Sequence, residues 1–204
     1  ILKRGGEGYA VFLFVALIPL KWTTSCLVDG TKAIVSQQRI IQQVYVPKIV
    51  FILTSLLVNT LKFAIGSIVL FLFILFYGVP FSVTFLGYGL IALVQLVLLL
   101  GVMIIFAHLG VYVRDVRNVM QYVARMLFFL SPVLFSMEDV PKAVAPFLYL
   151  NPMTSLIVSY RNILLQETWP LWSHLLIWLM VGVVLLYLAL KLLFRYENEY
   201  AKVI

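Results

Sequence analysis

The chain has 204 residues, 64% of them hydrophobic and only 11% charged, with mean hydropathy +1.09 and a formal net charge of +7. A soluble domain carries about 25% charged residues, so this composition excludes an ordinary soluble protein and places the chain in a membrane, with no nucleic-acid partner expected. Runs such as "SIVLFLFILFY" and "LIALVQLVLLLGVMIIF" are continuously apolar, without the alternation of a β-barrel, so the expected fold is all-α: one polytopic transmembrane domain of helices.

In chain order, the sequence opens on Ile1 rather than Met and carries no cleavable signal segment, which suggests that N-terminal residues are missing. Five stretches reach the roughly 20 residues a helix needs to cross a bilayer. They are 9–28, 49–77, 85–113, 119–136 and 171–190, and the second and third are long enough to tilt. Cys26, the single cysteine, lies in the first and is expected to pack rather than to react.

Five spans put the chain ends on opposite sides. Lys3, Arg4, Lys142 and Arg161 fall on one side, and Lys32, Arg39, Lys48, Arg114, Arg117, Lys191, Arg195 and Lys202 on the other. Cations are retained on the cytoplasmic side, so the richer group faces the cytoplasm. The polar stretch "QQRIIQQVYVPKIV", 37–50, is then a cytoplasmic connection. As a helix over 37–46 it puts Gln38, Arg39, Gln42 and Gln43 on one side and Ile40, Ile41, Val44 and Tyr45 on the other, until Pro47 ends it. Such a helix either rests among lipid headgroups or seats in a groove of a partner protein.

The next cytoplasmic turn, "YVRDVRNVMQY", holds Arg114, Asp115 and Arg117. Asp115 is expected to pair with an arginine or to cap the helix starting near Asn118. On the outer side, prolines 141, 146, 152 and 170 break an apolar stretch, and 140–166 is expected to form a re-entrant, broken helical element bordering a cavity.

Lys21, Lys62 and Arg125 lie inside predicted spans. Each costs about 2.5 to 3.5 kcal/mol at the centre of an inserted helix, so they should face the bundle interior, water or an interface, unless Lys21 and Arg125 snorkel. No Asp or Glu lies clearly within a span, although Asp29 borders the first, and this disfavours coupling to an ion gradient. His108 and His174 lack partners at metal-ligand spacing. No phosphate-binding loop is present, so any nucleotide that drives the protein binds another chain. Among the aromatics, Trp22, Tyr122, Phe128, Phe129, Tyr149 and Tyr160 mostly suit core packing or interfacial anchoring, with a minority free to offer flat faces to sugar rings.

Three pieces, "IIQQVYVPK", "VYVRDVRNV" and "RMLFFLSPVLFSMEDVPKAVAPFLYLNPMTSLIVSYRNILL", resemble the membrane subunits of the ABC-2 type exporters of polysaccharides and teichoic acids. The resemblance implies a multi-pass protein of the bacterial plasma membrane with six spans, of which the first would be absent here. It further implies a homodimer of permeases driven by two ATPase subunits that bind ATP and Mg, this chain holding no cofactor and being no enzyme alone. Gln38, Arg39, Gln42, Gln43, Tyr45 and Lys48, with Arg114, Asp115 and Arg117, would contact the ATPase. Lys21, Trp22, Lys62, Arg125, Phe128, Phe129 and Tyr160 are candidates for the path of the cargo. The cations tilt the expected cargo toward a lipid-linked anionic polymer, wall teichoic acid, over O-antigen or capsular polysaccharide. Two rivals from other classes are a membrane enzyme using Glu138, Asp139 or Glu167 on lipid-linked sugars, and a passive channel.

Overall fold

The computed structural model describes residues 8–44, 46–78 and 82–203. The fold is all-helical among the described residues: α1 Tyr9–Lys32, α2 Gln38–Gln43, α3 Ile49–Phe76, α4 Gly87–Tyr112, α5 Val116–Leu130, α6 Ala145–Leu148, α7 Pro152–Leu165 and α8 Trp172–Val203, with short 3-10 turns between some of them. Helix is the form that satisfies every backbone group within a single segment, which hydrocarbon demands.

Among the described residues four helices are long and apolar enough to cross a membrane: α1, α3, α4 with the turn that leads into it, and α8. The first runs four residues past the expected 28, which brings Asp29 into its last turn. The last runs to Val203 rather than 190; its 32 residues reach about 48 Å, well beyond a hydrocarbon core of about 30 Å.

The stretch 119–136 departs from expectation. Its helix, α5, has 15 residues and ends at Leu130, too short to cross alone. The reason is Pro132, which disfavours helical geometry at Ser131, and Ser131 is indeed extended with φ −105° and ψ 149°. The turns and bends that follow, 131–135, stay beside α1: the Tyr9 hydroxyl donates to the Leu134 carbonyl at 3.3 Å.

α1 is the centre of the bundle, packed by α3, α4, α5 and α7, while α4 lies along α8. Gly110 of α4 sits directly on the Thr31 carbonyl of α1, and Gly101 on the backbone of Leu186 in α8. Small residues at these crossings let backbones touch, the means by which helices associate in lipid. Cys26 is wholly buried in the core. Outward faces of α3 and α8, such as Leu57, Leu61, Ile65, Met180 and Val184, are exposed and apolar, as a lipid solvent allows.

The segment 140–166 forms α6 and α7. Asn151 caps α7 by accepting the Met153 N–H at 3.0 Å, and Pro152 takes the first helical position, where its missing donor costs nothing. α7 is buried over most of its circumference against α1 and α4.

Candidate functional site

Two regions collect the residues that the sequence singled out. At one end of the bundle, α2 presents Gln38, Arg39, Gln42 and Gln43 as exposed side chains. The helix is shorter than the expected 37–46, because Val44 is already extended. Only Ile41 is buried, whereas Ile40 and Val44, expected on the inward side, are exposed. Fewer than two turns cannot bury a whole face. Tyr45 lies outside the described residues.

Lys48 corrects its expected role as an exposed ATPase contact: it is 3% exposed, and its backbone N–H donates to Glu197 Oε1 at 2.8 Å. Arg114, Asp115 and Arg117 are exposed at the same end as α2, because α4 ends there beside the C-terminal end of α1. Asp115 occupies the N-cap position of α5, which starts at Val116 rather than near Asn118, but its side chain makes no capping hydrogen bond.

The second region is a groove of about 480 Å³ between α1 and α5. Lys21 lines it from α1 and Arg125 and Phe128 from α5, with Thr24, Ser25 and Gln121 adding polar atoms and Leu17, Leu20 and Val28 an apolar wall. Asp29 marks one end, held by Lys32 at 2.8 Å and by the Asn59 amide at 3.0 Å. Away from that end, the groove is cationic. Two cations facing one groove share a single wet or ligand-filled space, which relieves the cost of burying them at membrane depth.

The other path candidates are not in this groove. Phe129 is exposed on the outer side of α5. Lys62, on an exposed part of α3, reaches Asn59 Oδ1 at 3.3 Å and so joins the Asp29 cluster. Trp22 and Tyr160 are buried and are corrected to core residues. Trp22 stacks on Phe63 with ring centres 4.2 Å apart. The Tyr160 hydroxyl donates to Gln95 Oε1 at 3.2 Å, while Gln95 Nε2 donates to Thr23 Oγ1 at 2.8 Å and to the Pro19 carbonyl at 2.9 Å. Gln95 thus ties α7 to α1 through α4; its signal was a lone amide within an apolar run. Arg161 was equally missed. It is buried in α7 and donates to the carbonyls of Phe12, Pro132, Val133 and Phe135, with its guanidinium over the Phe12 ring.

The apolar bundle thus carries an exposed, polar short helix at one end and a cationic groove along its side. The sequence model described as "ABC-2 family transporter protein" matches residues 4–191. The chain belongs to the ABC-2 transporter family. As an ABC-2 permease it is a multi-pass protein of the bacterial plasma membrane, a transport subunit that works with a separate ATPase and is not an enzyme on its own. It is 27% identical over 96% of its length to an O-antigen export system permease protein of Klebsiella pneumoniae, covering 76% of that protein. It is similar at 25% identity over 99% of its length to an O-antigen export system permease protein of Myxococcus xanthus, covering 78% of it. The permease also matches a polysialic acid transport protein of Escherichia coli, at 27% identity over 76% of this chain and 60% of that protein.

Proposed function

We propose that this permease, as a dimer driven by two ATPase subunits, exports a lipid-linked cell-surface polysaccharide from the cytoplasmic to the outer face of the membrane. The observation that carries the reading is the cationic groove between α1 and α5, in a chain whose likeness to O-antigen export permeases runs along nearly its whole length. The cationic end that carries α2 faces the cytoplasm, by the retention of Lys and Arg on that side. α2 and the Arg114 to Asn118 stretch, with Arg114, Asp115 and Arg117, meet the ATPase there. ATP and Mg belong to that partner; its closure pushes both contacts, and the two permease bundles rock about their shared interface to open a passage.

Within this reading, Lys21 and Arg125 favour a polymer that carries negative charge. A polyol-phosphate polymer of the wall teichoic acid kind is the second reading, supported by the same two cations, while the relatives' names support O-antigen or capsule. The test is ATP hydrolysis by the reconstituted permease and ATPase with a neutral lipid-linked glycan, an acidic lipid-linked glycan or a lipid-linked polyol-phosphate. The acidic glycan is expected to stimulate more than the neutral one. Changing Lys21→Gln and Arg125→Gln together should cut that stimulation by about tenfold, the scale of one lost charge-assisted contact. Stimulation by the polyol-phosphate alone would assign the cargo to teichoic acid. Equal stimulation by acidic and neutral glycans would return the two cations to anchoring.

A further inference from the structure

The end of the bundle that carries α2 is organised by the last turns of α8. A helix as short as α2, six residues, has little stability of its own in water. Its buried residue, Ile41, belongs to the same apolar cluster as Leu193 and Tyr200 of α8. α2 packs on α8 and on the 35–37 turn that precedes it.

α8 is in turn fixed to two other helices within one turn of its length. Glu197 Oε1 accepts the Lys48 N–H at 2.8 Å, and Lys48 is the N-cap of α3. A carboxylate there sits at the positive end of the α3 dipole and takes a donor that the helix itself leaves unsatisfied. Three residues on, and so on the same side of α8, Tyr200 is wholly buried with its hydroxyl 2.7 Å from His108 Nδ1 of α4. A tyrosine hydroxyl is protonated at neutral pH and so is able to donate. The His108 ring also packs on Tyr112 and Tyr196, with centres 5.0 and 5.2 Å away.

A single turn of α8 therefore joins the base of α2, the start of α3 and the end of α4. A push on the exposed Arg39, Gln42 and Gln43 would meet that turn of α8 first.

We propose that Glu197 and Tyr200 are positioning residues that carry movement of α2 into α3 and α4. The proposal rests on α2 being the ATPase contact, and the experiment separates the two. Spin labels are placed at Leu75→Cys in α3 and Trp172→Cys in α8, both exposed and far from α2, in a Cys26→Ala background. The label distance is read in the full permease–ATPase complex before and after trapping with ATP and vanadate. ATPase affinity is measured alongside.

Trapping is expected to shift the distance in the otherwise unaltered complex. Glu197→Ala should reduce the shifted population by about tenfold with ATPase affinity retained, whereas Glu197→Gln, which keeps an acceptor oxygen, should hold it within about twofold. Should Glu197→Ala fail to assemble, Tyr200→Phe, which keeps the ring and deletes the bond to His108, is expected to reduce the shifted population in the same assay. Arg39→Glu should weaken association. A wild-type shift in both Glu197→Ala and Tyr200→Phe, with association weakened in Arg39→Glu, overturns the clamp and leaves α2 as the contact. Unchanged association in Arg39→Glu overturns both, and no shift in the unaltered complex overturns the clamp.

Discussion

Replacing Arg161 by methionine is expected to destabilise the permease by about 3 kcal/mol or more, the scale of leaving several carbonyl acceptors without their charged donor. Four main-chain carbonyls, those of Phe12, Pro132, Val133 and Phe135, accept from this one guanidinium. Three of them belong to the irregular turn after α5, whose backbone has left the helix and has no ladder of its own. Methionine fills similar space but donates nothing, and each buried acceptor left unpaired costs about 1 to 3 kcal/mol. Arg161→Lys should recover only part of the loss, because an ammonium is a point donor and lacks the planar fork that reaches several carbonyls at once. Thermal unfolding in detergent, with protease cleavage within 131–150 as a local readout, checks this; an unchanged melting temperature for Arg161→Met would refute it.

The second large effect is expected at Gly110. A Cβ at this position would fall onto the Thr31 carbonyl oxygen, a main-chain atom that cannot swing aside. Gly110→Ala must therefore separate α1 from α4, and should cost about 3 kcal/mol or more, at the upper end for overpacking. Gly101→Ala, whose Cβ would meet the Leu186 nitrogen at 3.0 Å, should cost less. Gly66→Ala meets only the Ile18 side chain at 3.5 Å and should be neutral or slightly stabilising, since alanine is the better helix former by about 1 kcal/mol. The order of the three melting temperatures is the observable, and Gly110→Ala melting with Gly66→Ala would contradict the crossing geometry.

These residues show which parts of the molecule were legible in its sequence. The long helices could be read because about 20 consecutive apolar residues admit one solution in lipid. Which face of each helix points inward could not, since lipid is as apolar as the core and leaves no hydrophobic stripe to follow. Trp22 and Tyr160 therefore stood both as core aromatics and as candidates for the cargo path, and both are packed inside. Lys48 is a lysine beside a helix start, ordinarily a surface position; it is buried, and its main-chain N–H meets Glu197, 149 residues away, a contact that no local pattern records. The early end of α5 is written in Ser131–Pro132, a break inside an otherwise apolar run that the span 119–136 read across. Lys21 and Arg125 were legible as costly cations, but only the fold brings them into one groove.

ATP-dependent movement of a lipid-linked polysaccharide across the membrane of proteoliposomes containing the permease and its ATPase tests the central claim most directly. The account predicts that polymer appears on the far face only when both subunits and ATP are present, and not with an ATPase unable to hydrolyse. Movement without nucleotide would make the chain a passive channel, and chemical turnover of the lipid-linked sugar by the permease alone would make it an enzyme; either result would contradict the account.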